Sequence, residues 1–169
     1  MTALDPTALA LIARTPAVLR ALLVGLTRDV IETPNEEGWS VKDIVAHLVD
    51  VEDIAFIERI NRMLEVERPL ISSIDPPARL DAAGYRGRGL ADLIDELERE
   101  RVLHVPWLMA LQPAQLARVG QHDAVGEISV SHIAHQWAAH DMAHLRQIAL
   151  QLQGHLAPLM GHTRGFYDV

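Results

Sequence analysis

The sequence predicts an all-α chain folded as a four-helix bundle, with one long crossover between its second and third helices. Three observations carry this expectation. Apolar residues recur at helical spacing in four long stretches, no alternating pattern bounded by tight turns marks a strand, and one interior connection is long and rich in proline and glycine.

The first stretch runs from about Pro6 to Leu26, with Leu9, Ile12, Val18, Leu19, Leu22, Leu23 and Leu26 on its apolar positions. Thr15 followed by Pro16 offers an internal cap and a first-turn proline, so a kink or split is expected there. The second starts at Ser40, an N-cap with Asp43 three residues on, and continues to about Val66. The third covers Leu90 to Leu111, with a kink expected at Pro106. The fourth begins near Ser129 and runs to Gln153, where Gly154 supplies a left-handed stop. A short helical turn is expected after Pro113.

Residues 67–89 carry Pro69, Pro76, Pro77, Gly84, Gly87 and Gly89 and resist regular structure. A helix of about 26 residues is roughly 39 Å long, and about 20 connecting residues at up to about 3.3 Å each can run back along it. The second and third helices can therefore lie parallel.

At 169 residues and 49% hydrophobic, the chain fits a single domain spanning residues 1–169. Its formal charge of -8 would repel phosphate backbones and anionic lipid, so neither nucleic acid nor membrane is expected as a partner. Asp5, Arg14 and Arg20 break the apolar run at the N-terminus, and a cytoplasmic location is expected. The chain has no cysteine, which excludes disulfides, thiolate ligands and a cysteine nucleophile. Any thiol chemistry must use a thiol from outside.

His140 and His144 are one helical turn apart, so their imidazoles project from one face and can share an ion. Nine histidines placed at random would give roughly 0.5 such pairs, so spacing alone does not separate a metal site from hydrogen-bonded core or surface histidines. Context adds weight. The pair shares its face with Ile133, Trp137 and Ile148, and burying two imidazoles costs free energy unless a partner or an ion satisfies them. His47 has a similar setting beside Ile44, Val51 and Ile54 on the second helix.

The segment Gly38-Trp39-Ser40-Val41-Lys42-Asp43-Ile44-Val45-Ala46-His47-Leu48-Val49-Asp50-Val51-Glu52 resembles the second-helix signature of the DinB-like (DinB/YfiT) superfamily. His140-Asp141-Met142-Ala143-His144-Leu145-Arg146-Gln147-Ile148 resembles its fourth-helix signature, in the same order and at the usual separation. The resemblance implies a four-helix bundle with a crossover, often a homodimer, and a divalent metal held by His47, His140 and His144. It also implies thiol chemistry, because members include transferases that use bacillithiol or mycothiol and a thiol-dependent isomerase.

Neutral imidazoles suit zinc or nickel, and three protein ligands leave coordination positions open as in catalytic sites. The leading expectation is a metal-dependent transferase activating a low-molecular-weight thiol, with a small-molecule thiol and an electrophile as partners. A non-catalytic metal-binding stress-response protein and a metal-dependent hydrolase are the alternatives. No catalytic residue beyond the ligands is assigned. Asp50 and Glu52 are expected to face solvent, and Asp141 orients a histidine, caps a neighbouring helix or is solvated. Trp39 and Trp137 are expected in the core, His104 as a satisfied core residue, and His132 and His135 at the surface. Arg59, Arg62 and Arg146 are candidates for an anionic cofactor, with solvated helix charges as the alternative.

Overall fold

In a computed structural model, residues 3–82 and 84–167 are described. Helix α1 (Pro6–Leu23) is started by Asp5, whose carboxylate accepts the Thr7 N–H at 2.6 Å. It does not split at Pro16. The Ile12 carbonyl, which loses its helical donor to the proline, instead accepts a 2.7 Å hydrogen bond from Arg101. A short α2 (Arg28–Glu32) then leads to α3 (Val41–Val51), whose N-terminus is closed by a reciprocal box. Ser40 Oγ accepts from Asp43 N–H at 3.1 Å, and Asp43 Oδ2 accepts from Ser40 N–H at 3.0 Å.

The second long helix is not uniform. After Val51 it passes through a π-helical segment, Glu52–Ile57, before α4 (Glu58–Glu65) resumes normal winding. The crossover follows, with strand β1 (Leu70–Ile71), α5 (Pro76–Ala82) and a 3-10 turn at Tyr85–Gly87. Helix α6 (Leu90–Ala110) continues through Pro106, and α7 (Pro113–Leu116) is the short turn expected after Pro113.

A hairpin that the sequence pattern did not announce comes next. β2 (Val119–His122) and β3 (Gly126–Ser129) pair antiparallel, and β1 joins β2 in parallel. Gly126 turns the hairpin at φ +81°, and Gly120 lies so close to the crossover that a Cβ there would sit 3.1 Å from the Pro69 carbonyl. Helix α8 (Val130–Leu156) begins at Ser129, whose hydroxyl accepts the His132 N–H. It runs through Gly154 instead of stopping there, and a 3-10 turn at Ala157–Leu159 ends it.

Helix directions follow from who meets whom. Arg79 on the crossover grips Asp50 with two hydrogen bonds of 2.8 and 2.9 Å, and Arg86 further on reaches Asp43 at 3.3 Å. The connection therefore runs back toward the start of α3. Leu93, Ile94 and Leu97 then pack with Val41, Ile44, Val45 and Leu48, while Leu108 joins Phe56, Ile60 and Met63. So α6 lies parallel to the α3–α4 rod.

Helix α1 runs opposite to α6, because Arg20 pairs with Asp95 and Glu98 whereas Ile12 meets Arg101. Helix α8 runs opposite to α3: Trp137 stacks on Phe56, and Gln151 donates to the Trp39 carbonyl. Among the long helices, α1 and α3 each pack on both α6 and α8, so the first two rods are diagonal partners in the bundle. Among the described helices only α1 is long and apolar enough to cross a membrane. Here its Ile12, Leu19 and Leu23 are shut inside the bundle.

Candidate metal centre

The antiparallel contact between α3 and α8 brings His47 against His140 and His144. His140 and His144 share one face of α8 as their spacing dictates, and His47 meets them from a helix covered on nearly every side. α5 and the 85–87 turn pack over α3, which explains why His47 and Asp50 are both only 4% exposed. His140 and His144 are half-buried, leaving the cluster one accessible side.

The Nε2 atoms face one another. His47 Nε2 lies 3.2 Å from His140 Nε2, His144 Nε2 lies 3.1 Å from it, and one nitrogen from each ring falls within 4.8 Å of the others. Nitrogens bound to one tetrahedral zinc at 2.0–2.1 Å are about 3.3 Å apart, so the observed separations match a set of ligands to a single ion. Proton bookkeeping favours the same arrangement. Gln147 Oε1 can only accept, so His144 donates Nδ1–H to it at 2.9 Å and presents a bare Nε2. His47 and His140 can then satisfy at most one of the two close Nε2 contacts well, with a proton from either ring, whereas a cation takes all three lone pairs.

Burial pushes the His47 imidazole down to about 4, with the nearby His144 adding to the shift and Asp50 opposing it. Burial also takes His140 down to about 3, reinforced by His144, His47 and Arg101. His144 is lowered by burial too, and its bond to Gln147 works the other way. All three rings are thus neutral near pH 7, the form that binds metal. Among the described residues, Nδ1 of His47 and of His140 has no hydrogen-bond partner. Aromatic rings wall the cluster: Trp39 meets His47 edge-on at 5.5 Å, and Phe56 meets His140 at 5.5 Å.

One turn deeper lies a buried ionic network. Arg101, 3% exposed, donates to Glu52 Oε2 at 2.7 Å and to Asp141 at 2.7 and 3.1 Å, and both carboxylates are fully buried. Its guanidinium also lies 4.9 Å above the Trp137 ring. Burial works against the Arg101 charge, but Asp141 and then Glu52 outweigh it and hold the group more firmly protonated than usual. His104 Nδ1 meets the other oxygen of Glu52 at 3.0 Å.

Several expectations change here. Asp50 and Glu52 do not face solvent: the crossover arginine Arg79 holds the first, and Arg101 holds the second. Asp141 is neither solvated nor bonded to a histidine, since it serves Arg101. Trp137 is in the core, but Trp39 is half-buried at the edge of the histidine cluster. His104 is a satisfied, half-buried residue, and His132 is exposed as expected. His135 is half-buried and accepts the Asp5 N–H at 3.2 Å. Neither Arg101 nor Gln147 was singled out from the sequence. Arg101 carried a signal, because it falls at helical spacing between Leu97 and Leu108 on an apolar stripe.

In overall fold the chain is similar to YfiT from Bacillus subtilis, described as "a probable metal-dependent hydrolase with an unusual four-helix bundle topology". The TM-score is 0.74 at 20% identity, with 87% of this chain and 86% of that chain covered. No curated protein matches the chain significantly. A family model of the DinB superfamily matches residues 11–148, a span that takes in all three histidines, the whole of α3 and α8 as far as Ile148. The chain belongs to the DinB superfamily.

Proposed function

We propose that His47, His140 and His144 hold a divalent metal, zinc or nickel, and that the protein is a metal-dependent transferase acting on a low-molecular-weight thiol and an electrophile. The observation that carries this reading is the convergence of three neutral Nε2 atoms beside an accessible side. A bound divalent ion supplies Lewis acidity, which favours the anionic form of a thiol or water placed in its open position at neutral pH.

The carboxylates around the cluster favour a thiol over water. Asp50 is tied to Arg79 and Asp141 to Arg101, so neither is free to act as a general base. A thiol with an ordinary pKa of about 8.5 needs a far smaller push than water at about 15.7, and its proton can leave directly to solvent. The rings of Trp39 and Phe56 limit water around the histidines, and Gln147 keeps His144 in the tautomer that offers Nε2.

A second reading, hydrolysis, is supported by the description given to YfiT. The two differ in their need for thiol. Metal-loaded protein is expected to consume an electrophile such as a chlorodinitrobenzene only when a thiol such as cysteine or a bacillithiol analogue is present, and to lose that activity in His144→Ala. Turnover of ester or amide substrates at an equal rate without thiol would overturn the transferase reading in favour of hydrolysis.

A further inference from the structure

One cleft of small-molecule size lies apart from the histidines. It has a volume of about 780 Å³ and opens between the π segment with α4 on one side and the crossover from Leu70 to Ala82 on the other. That volume is within the range of small-molecule sites, roughly 300–1,000 Å³. Its wall begins at Ile54, seven positions beyond His47 on the same rod and so about 10 Å along the axis. Arg79, which lines the cleft, grips Asp50 beside His47 and links the two regions.

The charges inside are unequal in their partners. Arg79 is neutralised by Asp50. Arg59 is half-buried, and among the described residues its only hydrogen bond is to the Ser72 carbonyl, at 2.6 Å, with no carboxylate in ion-pair contact. Burial accordingly lowers its pKa, although Asp123 pulls the other way. Arg62, exposed at the mouth, makes no ion pair among the described residues either. Two carboxylates share the rim. Asp75 is engaged in capping α5 through the Ala78 N–H, and Glu58 is exposed to solvent. A half-buried guanidinium with unused N–H groups beside aliphatic surface from Ile54 and Ile74 is complementary to a carboxylate attached to an apolar body.

We propose that this cleft binds an amphiphilic small-molecule carboxylate, its anion on Arg59 and its apolar portion along Ile54 and Ile74. The ligand is assigned as the electrophilic substrate of the histidine centre. In that respect the inference rests on the functional reading above, with the cleft holding the end of the molecule remote from the reacting atom.

The test is calorimetric titration of the full-length protein with octanoate, using octanamide as the uncharged counterpart. Saturable octanoate binding is expected, with octanamide and the Arg59→Ala variant each weaker by about tenfold or more. Arg59→Lys should retain part of the affinity. Ile54→Trp, which fills the cleft from the wall that also carries Arg59 without touching a charge, should also abolish binding. Equal affinity for octanoate and octanamide, no saturable octanoate binding, or unchanged binding in Ile54→Trp would overturn the proposal. Octanoate binding should persist in His47→Ala. If it does while no metal-dependent turnover is found, the catalytic reading fails and the site stands; turnover without octanoate binding has the reverse meaning.

Discussion

His144 shows how much of the site depends on a single contact. Its Nδ1–H is spent on Gln147 Oε1, and only that bond commits Nε2 to the cluster. Gln147→Leu removes the acceptor while keeping the bulk, so metal affinity should fall by about 10–100-fold, the usual effect of losing an outer partner of a ligating histidine. Competition against a chromogenic chelator measures this, and unchanged affinity would show that packing alone holds the ring. The shared face of His140 and His144 was legible from their one-turn spacing, whereas His47 was linked to them only through the family resemblance, and the structure brings the three rings together. Gln147 was not legible, since an amide three positions from a histidine looks like any solvated helix residue until the rotamers are seen.

At the scale of elements, one arginine ties four segments together. Arg101 on α6 bonds the Ile12 carbonyl of α1, Glu52 of the π segment and Asp141 of α8. Replacing it by methionine leaves two buried carboxylates without a counter-charge, and the expected loss is about 3–5 kcal/mol in chemical denaturation. A loss below about 1 kcal/mol, as for a surface pair, would contradict this.

The proline in α1 adds a coupling. Pro16→Ala restores the N–H donor that the Ile12 carbonyl lacks, so the Arg101→Met loss should shrink by about 0.5–1.5 kcal/mol in that background. Additivity would mean that Arg101 does not serve the orphan carbonyl. These links were partly readable: Glu52, Arg101 and Asp141 each occupy a core position at helical spacing, on three different helices. Read one at a time, each passes for a solvated charge. Only together do they announce a network.

At the scale of the whole molecule, the crossover sets the topology and closes the site. It returns the chain to the start of α3, makes α6 parallel to that rod, and buries the side of α3 that carries Asp50. Its length and proline content made the parallel pair visible in advance. The β2–β3 hairpin was not visible, because strands of four residues such as Val119-Gly120-Gln121-His122 show no sustained alternation; the crossover pairing with β1 stabilises them.

Burial also gives the metal-free molecule a pH signature. His47 and His140 have folded pKa values of about 4 and about 3, below the ordinary 6.5. Their contribution is full above pH 6.5 and is lost as pH falls through those values, because the unfolded chain takes up the protons first. Glu100 acts in the opposite sense. Burial, with Asp53 and Glu52 nearby, raises its carboxyl to about 7, so its contribution is lost as pH rises through 7. Denaturation midpoints should therefore fall less on acidification in His140→Leu and fall more in Glu100→Gln; identical profiles in all three proteins would refute the assignment.

The most direct measurement is metal content, by elemental analysis and anomalous scattering, on protein purified without a histidine tag. The structure predicts about one divalent ion per chain, bound between residues 47, 140 and 144, and its loss in His144→Ala with helical content retained. Less than about a tenth of an equivalent after reconstitution, or an ion bound elsewhere, would contradict the account.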